Sequence, residues 1–174
     1  KIYNNAISGI YKTTPTTSNL YLPAGINILY GTNIQVYHNS VHISGDYSNM
    51  SSAMNSTALV INYSNANTLD IRNNTFTNFA FGSPNGKHYA AIIVNSGSMN
   101  GTTIDYNNYY TLDTSQLIGK FGTTDIYTLG NWRNSTQQDI ASVSLNPNFN
   151  NDIEIIPYTN VLTNLGTPLA SVPK

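Results

Sequence analysis

The sequence predicts an all-β fold, a right-handed parallel β-helix (a solenoid of about 34 residues per coil) closed by a C-terminal cap. Three observations predict it. Four segments resemble one another, IYNNAI, VYHNSV, IRNNTF and DYNNYY, and their asparagines Asn5, Asn39, Asn74 and Asn108 are 34, 35 and 34 residues apart. Apolar and polar residues alternate within each unit, the period of a strand with one buried face. The chain is also rich in strand and bend formers, with 13 Tyr and 27 Asn among 174 residues; β-branched and aromatic side chains suit a pleated surface.

Each unit is expected to hold three short strands. The first lies near residues 26–30, 58–63 and 90–95, where Ile26, Leu59 and Ile92, and Ile28, Ile61 and Val94, recur every 33 residues. The second lies near 34–37, 69–72 and 103–106, the third near 40–44, 75–79 and 109–112. Between second and third, Asn-Asn or His-Asn marks a bend in which one Asn takes the left-handed conformation. Its side-chain amide can bond its equivalents in neighbouring coils, a ladder of Asn5, Asn39, Asn74 and Asn108 that satisfies buried polar groups. Propeller blades would instead need antiparallel hairpins with Asn-Gly or Asp-Gly turns. Sustained helical spacing is absent from residues 1–112, which excludes helical repeats of similar period. Crossovers between parallel strands are right-handed in nearly all cases.

Ser-, Asn- and Gly-rich loops at 45–55 and 82–87 connect one coil to the next. From about Tyr110 the pattern changes. Residues 1–114 therefore read as the coils, and residues 115–174 as the last coil and cap. Within the cap, Leu129 and Trp132 suggest one helical turn, and 142–149 returns to alternation. A solenoid end needs such a cover because it exposes strand edges and core. No equivalent precedes Ile2, so the natural chain is expected to continue upstream or to stack on something.

Composition narrows the function. Seven basic against eight acidic residues, with 9% charged overall, leave no basic stripe for nucleic acid. The longest apolar stretches are too short to insert in a bilayer. Without Cys there is neither a disulfide nor a thiolate metal site. The surface must be solvated by amides and hydroxyls, as is common where proteins meet sugars.

The NN-x-hydrophobic coils, DYNNYY at 105–110 and the closing LGNWRNSTQQDIASVSLNPNF at 129–149 resemble secreted right-handed β-helix surface proteins of Bacteroidota and related bacteria, within the pectate-lyase-like superfamily. The resemblance covers nearly the whole chain. It implies export to the extracellular space or the cell surface and, since many such proteins have no known catalytic role, does not imply activity.

Chemistry on this fold needs clustered carboxylates, for calcium or as a general acid and base. No Asp-Asp pair occurs, nor Asn-Thr-Asp or Gly-His-Gly. Asp70, Arg72 and Asp105 are the candidates for a lyase or hydrolase remnant, with Asp70 facing solvent and Asp105 falling where Ile71 is buried. His38 and His42 have zinc spacing, but on a strand–bend–strand they diverge, so no metal and no cofactor is expected. Alignment on the asparagines places Tyr3, Tyr37, Arg72 and Tyr106 in one outward stripe, flanked by His42 and Tyr109. That stripe is either a polysaccharide-binding surface or a set of cross-strand pairs that stabilise the sheet. The expected function is a non-enzymatic extracellular or cell-surface structural and adhesive module, its ends free to stack into a rod or filament. Polysaccharide binding is the first alternative and the enzyme remnant the second.

Overall fold

A computed structural model describes residues 1–13, 22–62, 66–95, 99–112, 117–155, 162, 165–167 and 169. Thirteen strands and one helix follow in chain order: β1 (Ile2–Tyr3), β2 (Ala6–Ile7), β3 (Ala24–Ile28), β4 (Gly31–Tyr37), β5 (Ser40–Ile43), β6 (Ser56–Ile61), β7 (Ala66–Arg72), β8 (Thr75–Asn78), β9 (His88–Ile93), β10 (Thr103–Asp105), β11 (Asn108–Thr111), β12 (Gly119–Phe121), β13 (Thr124–Ile126) and α1 (Leu129–Thr136). They form three sheets, in the orders β1-β4-β7-β10, β2-β5-β8-β11 and β3-β6-β9-β12-β13. All neighbours are parallel except β12 and β13.

The fold class expected from the repeat needs correction. In place of a uniform right-handed β-helix, the described residues form a compact, mostly parallel arrangement of three sheets of four, four and five strands with one short helix. Two findings overturn the uniform solenoid. The offset between paired residues is not constant: Val36 pairs with Ile71, but Ser56 pairs with His88. The parallel order also stops at β13, which turns back antiparallel on β12.

Alternation explains the core. Val36, Leu69, Ile71 and Ile104 of the first sheet meet Val41, Phe76 and Tyr109 of the second and Ile26, Leu59 and Ile93 of the third in one apolar cluster. At roughly 1.5–3 kcal/mol for each fully buried large side chain, this cluster is the main stabilising term. The third sheet departs from alternation. Every residue of β6 and β9 is buried, because Val60, Tyr89 and Ile92 form a second cluster with Leu22 and Leu117 on the other face. The expected series are therefore corrected at their last member: Leu59 pairs with Ala91, and Ile61 with Ile93.

Helix α1 covers the end beyond β12. Thr128 caps it, its Oγ1 accepting from the Asn131 N–H at 3.1 Å, which satisfies one orphan donor of the first turn. Gln137 ends it in the left-handed conformation, its N–H donating to the Arg133 carbonyl. Trp132 is buried against β12 and requires Gly119 there, since a Cβ at that position would lie 2.3 Å from the indole. Beyond α1 the chain runs back along the second sheet. The Asn108 side chain holds Leu145 through both its amide atoms, Phe149 packs edge-on against His42, and Ser8 donates to the Ile153 carbonyl.

Candidate functional site

The first and second sheets meet at a corner repeated in four successive strand pairs. Asn4, His38, Asn73 and Tyr106 occupy it with φ between 54° and 61°. The residue after each is an asparagine, and these side chains are chained in one direction. Asn5 Nδ2–H donates to Asn39 Oδ1 at 2.8 Å, Asn39 to Asn74 at 2.9 Å, and Asn74 to Asn107 at 3.0 Å. Each acceptor oxygen also takes the backbone N–H of the preceding asparagine. The expected fourth member, Asn108, is thus corrected to Asn107. Strand pairing sets Asp105 beside Arg72, so Tyr106 stands at the corner and Asn107 follows it.

The chain of amides ends on two residues that the asparagine spacing did not single out. Ser142 Oγ accepts the Asn107 backbone N–H at 2.8 Å, and Asp139 Oδ1 lies 3.5 Å from Asn107 Nδ2. Asp139 is 1% exposed and also accepts from Trp132 Nε1–H at 2.8 Å, Ser142 Oγ–H at 2.6 Å and the Tyr109 hydroxyl at 3.3 Å. Burial pushes its carboxyl up to about 6 against the pull of these donors. Carboxylate and hydroxyl together replace the next asparagine. The signal was in the sequence, since Asp139 and Ser142 lie 32 and 35 residues beyond Asn107, bracketing one ladder step.

The outward stripe is rearranged by the same register. Tyr3 pairs with Tyr37 and Tyr37 with Arg72, but the next residue in the row is Asp105, not Tyr106. Asp105 is accordingly not at the place of Ile71; its Oδ1 accepts from the backbone of Tyr106 and Ala141. Tyr37 is buried, with its hydroxyl donating to Asp70 at 2.6 Å and the Arg72 guanidinium 5.8 Å over its ring. Arg72 grips Asp70 with two bonds of 2.6 Å. Burial raises the Asp70 carboxyl, but the bonds from Arg72 and Tyr37 outweigh it and hold it below the usual range. Tyr109 and His42 are fully buried. His42 Nδ1 lies 2.8 Å from Thr77 Oγ1 and Nε2 3.2 Å from Asp152, and burial lowers its pKa despite that carboxylate. Of the six stripe residues, Tyr3 and Tyr106 are the well-exposed aromatics. Tyr37, Tyr109 and His42 have no free face for a sugar ring.

Two of the grooves among the described residues border the stripe or the amide chain. One of about 250 Å³ lies on the first sheet between Gln35, Asp70 and Thr103, where the Gln35 Oε1 is buried without a hydrogen-bond partner. The other, of about 380 Å³, runs along the corner past His38, Asn73 and Tyr106. Among the described residues no three His, Asp or Glu side chains come close enough together to hold a metal ion. No described helix is long and apolar enough to cross a membrane. No family model, no curated protein and no solved structure matches the chain.

Proposed function

We propose that this chain is a non-enzymatic structural module of the bacterial surface or extracellular space, which closes one end of a larger β assembly. The observation that carries this reading is the polarity of the amide chain. At the Asp139 end the amide chain closes on a buried carboxylate, and the third sheet is turned back by β13. At the Asn5 end the order stops on a donor: Asn5 gives its amide to Asn39, and among the described residues no strand lies beyond β1, β2 or β3. Three parallel sheet edges at one end, around the partly buried Ile2, Ile7 and Ile10, form a template for further strands. The candidate acids support the same reading. Asp70 is consumed by Arg72 and Tyr37, and Asp105 by backbone donors. A general acid or base needs a free path to its substrate.

An inward-pointing charge is how natural edge strands avoid pairing. Ile2→Lys should therefore abolish concentration-dependent association in sedimentation velocity while leaving the melting temperature nearly unchanged. Association that persists undiminished in the variant would contradict the role of this end.

A second reading, binding of a neutral polysaccharide, is favoured by the unpartnered Gln35 Oε1 in its groove. Buried acceptors are rarely left unmet, and a sugar hydroxyl is a fitting donor. If so, Gln35→Ala should reduce retention in affinity electrophoresis on polysaccharide gels at least tenfold; equal retention of variant and parent removes this reading.

A further inference from the structure

A groove of about 300 Å³ opens where α1 begins, lined by Tyr110 and Thr111 of β11, by Ile118, and by Tyr127, Thr128 and Leu129. Two independent features of it call for a ligand. Thr111 is 6% exposed, and its Oγ1 is buried without a hydrogen-bond partner. Buried hydroxyls are rarely left unmet. The other feature is the start of the helix. Its first turn carries no acidic residue, and Thr128 Oγ1 is taken up by the Asn131 N–H. Among the described residues no acceptor is bonded to the Leu129 or Gly130 N–H. A helix start of this kind carries partial positive charge and free donors, which together favour an anion.

The surroundings do not neutralise that charge. No side chain lining the groove is charged, and the nearby Asp125 carboxylate is held by Lys87 and Tyr89. Tyr127, 54% exposed, adds a flat aromatic wall on which a ring can lie. We propose that this groove binds a small organic carboxylate with a ring-shaped body. The carboxylate takes the N–H groups of the first turn and gives the Thr111 hydroxyl its acceptor, while the ring packs on Tyr127. The site uses neither the edges of β1, β2 and β3 nor the Gln35 groove, so it stands or falls apart from both preceding readings.

Benzoate is the probe, with benzamide as its uncharged isostere. In two-dimensional amide NMR spectra at pH 7 and constant ionic strength, benzoate should shift the Leu129 and Gly130 resonances saturably. For so small a ligand the dissociation constant should be about 1–10 mM, and benzamide should bind at least about fivefold more weakly. Two full-length variants separate binding from folding. Thr111→Val keeps the β-branched shape and removes a hydroxyl that the fold leaves unmet. It should weaken benzoate binding at least about threefold without lowering the melting temperature. At Gly130 an added Cβ meets nothing closer than Thr128 Oγ1 at 3.9 Å. Gly130→Asp therefore sets a carboxylate of the chain's own at the helix start, which should preserve or raise the melting temperature and abolish the benzoate shifts. Absence of a saturable shift at both amides, with benzoate at about ten times the upper expected constant, would overturn the proposal. So would equal binding of benzamide, or benzoate binding undiminished in either variant.

Discussion

Asn74→Ala is expected to destabilise the fold by about 3–5 kcal/mol, among the largest effects available to a single polar substitution. Asn74 is 2% exposed. Its oxygen accepts the backbone and side-chain N–H of Asn39, and its Nδ2 serves the carbonyls of Val36 and Arg72 and the Asn107 oxygen. Alanine leaves those groups enclosed without water, each at a cost of about 1–3 kcal/mol where no partner can be found. The same change at Asn5, an exposed residue at the end of the row, should cost less than about 1 kcal/mol, because water replaces what is lost. Urea unfolding of both variants checks the gradient. Equal costs at the two positions would mean that the amide chain is not a buried, cooperative element.

The second large effect lies at the other end of the row. Asp139→Ala should cost about 2–3 kcal/mol at pH 7, by orphaning Trp132 Nε1–H, the Tyr109 hydroxyl and the Ser142 hydroxyl. Its distinguishing mark is pH dependence. The Asp139 carboxyl titrates at about 6 in the fold and at about 3.9 when unfolded. Between those values the folded state holds a proton that the unfolded state has released, so the stability due to this group falls as pH rises. This protonation-linked part is fully present below about pH 4 and gone above about pH 6, a change of about 3 kcal/mol at 1.36 kcal/mol per pKa unit, and the cost of the orphaned donors remains at pH 7. The gap between parent and variant should therefore widen as pH falls from 7 to 4.5. His42 has the opposite sign. Its pKa is lowered by burial, so its contribution increases as pH rises through the window just below 6.5, and subtracting the variant cancels it. Asp70 and Asp125 are held low, and their contributions are lost only as pH falls below about 4. A gap that stays constant from pH 4.5 to 7 would exclude Asp139 as the titrating group.

Spacing was the legible part of this sequence. Asparagines at the corners and alternation in the first two sheets follow directly from strand period and left-handed propensity, and they place Val36, Ile71 and Phe76 in the core. Legibility failed where one residue did two jobs. In DYNNYY the corner is taken by Tyr106 at φ 55°, a conformation that favours Asn or Gly, so an alignment on paired asparagines slips by one and carries the outward stripe with it. In the third sheet both faces are apolar, alternation is erased, and Ala91 and Ile92 exchange places in the expected register. Tyr37 shows a different limit. Alternation turns it outward, but in the fold it is buried, with its hydroxyl on Asp70 and Arg72 over its ring. Asp139 was hidden because a carboxylate and a serine together do what one asparagine does elsewhere.

The central claim, that the chain is a structural end module joined through its Asn5 face, is tested most directly by cryo-electron microscopy of the protein as its native cell makes it. The expected density has further strands lying against β1, β2 and β3 at about 4.8 Å spacing, with α1 at the free end. Isolated particles with nothing seated on that face, or assemblies joined through α1, would contradict it.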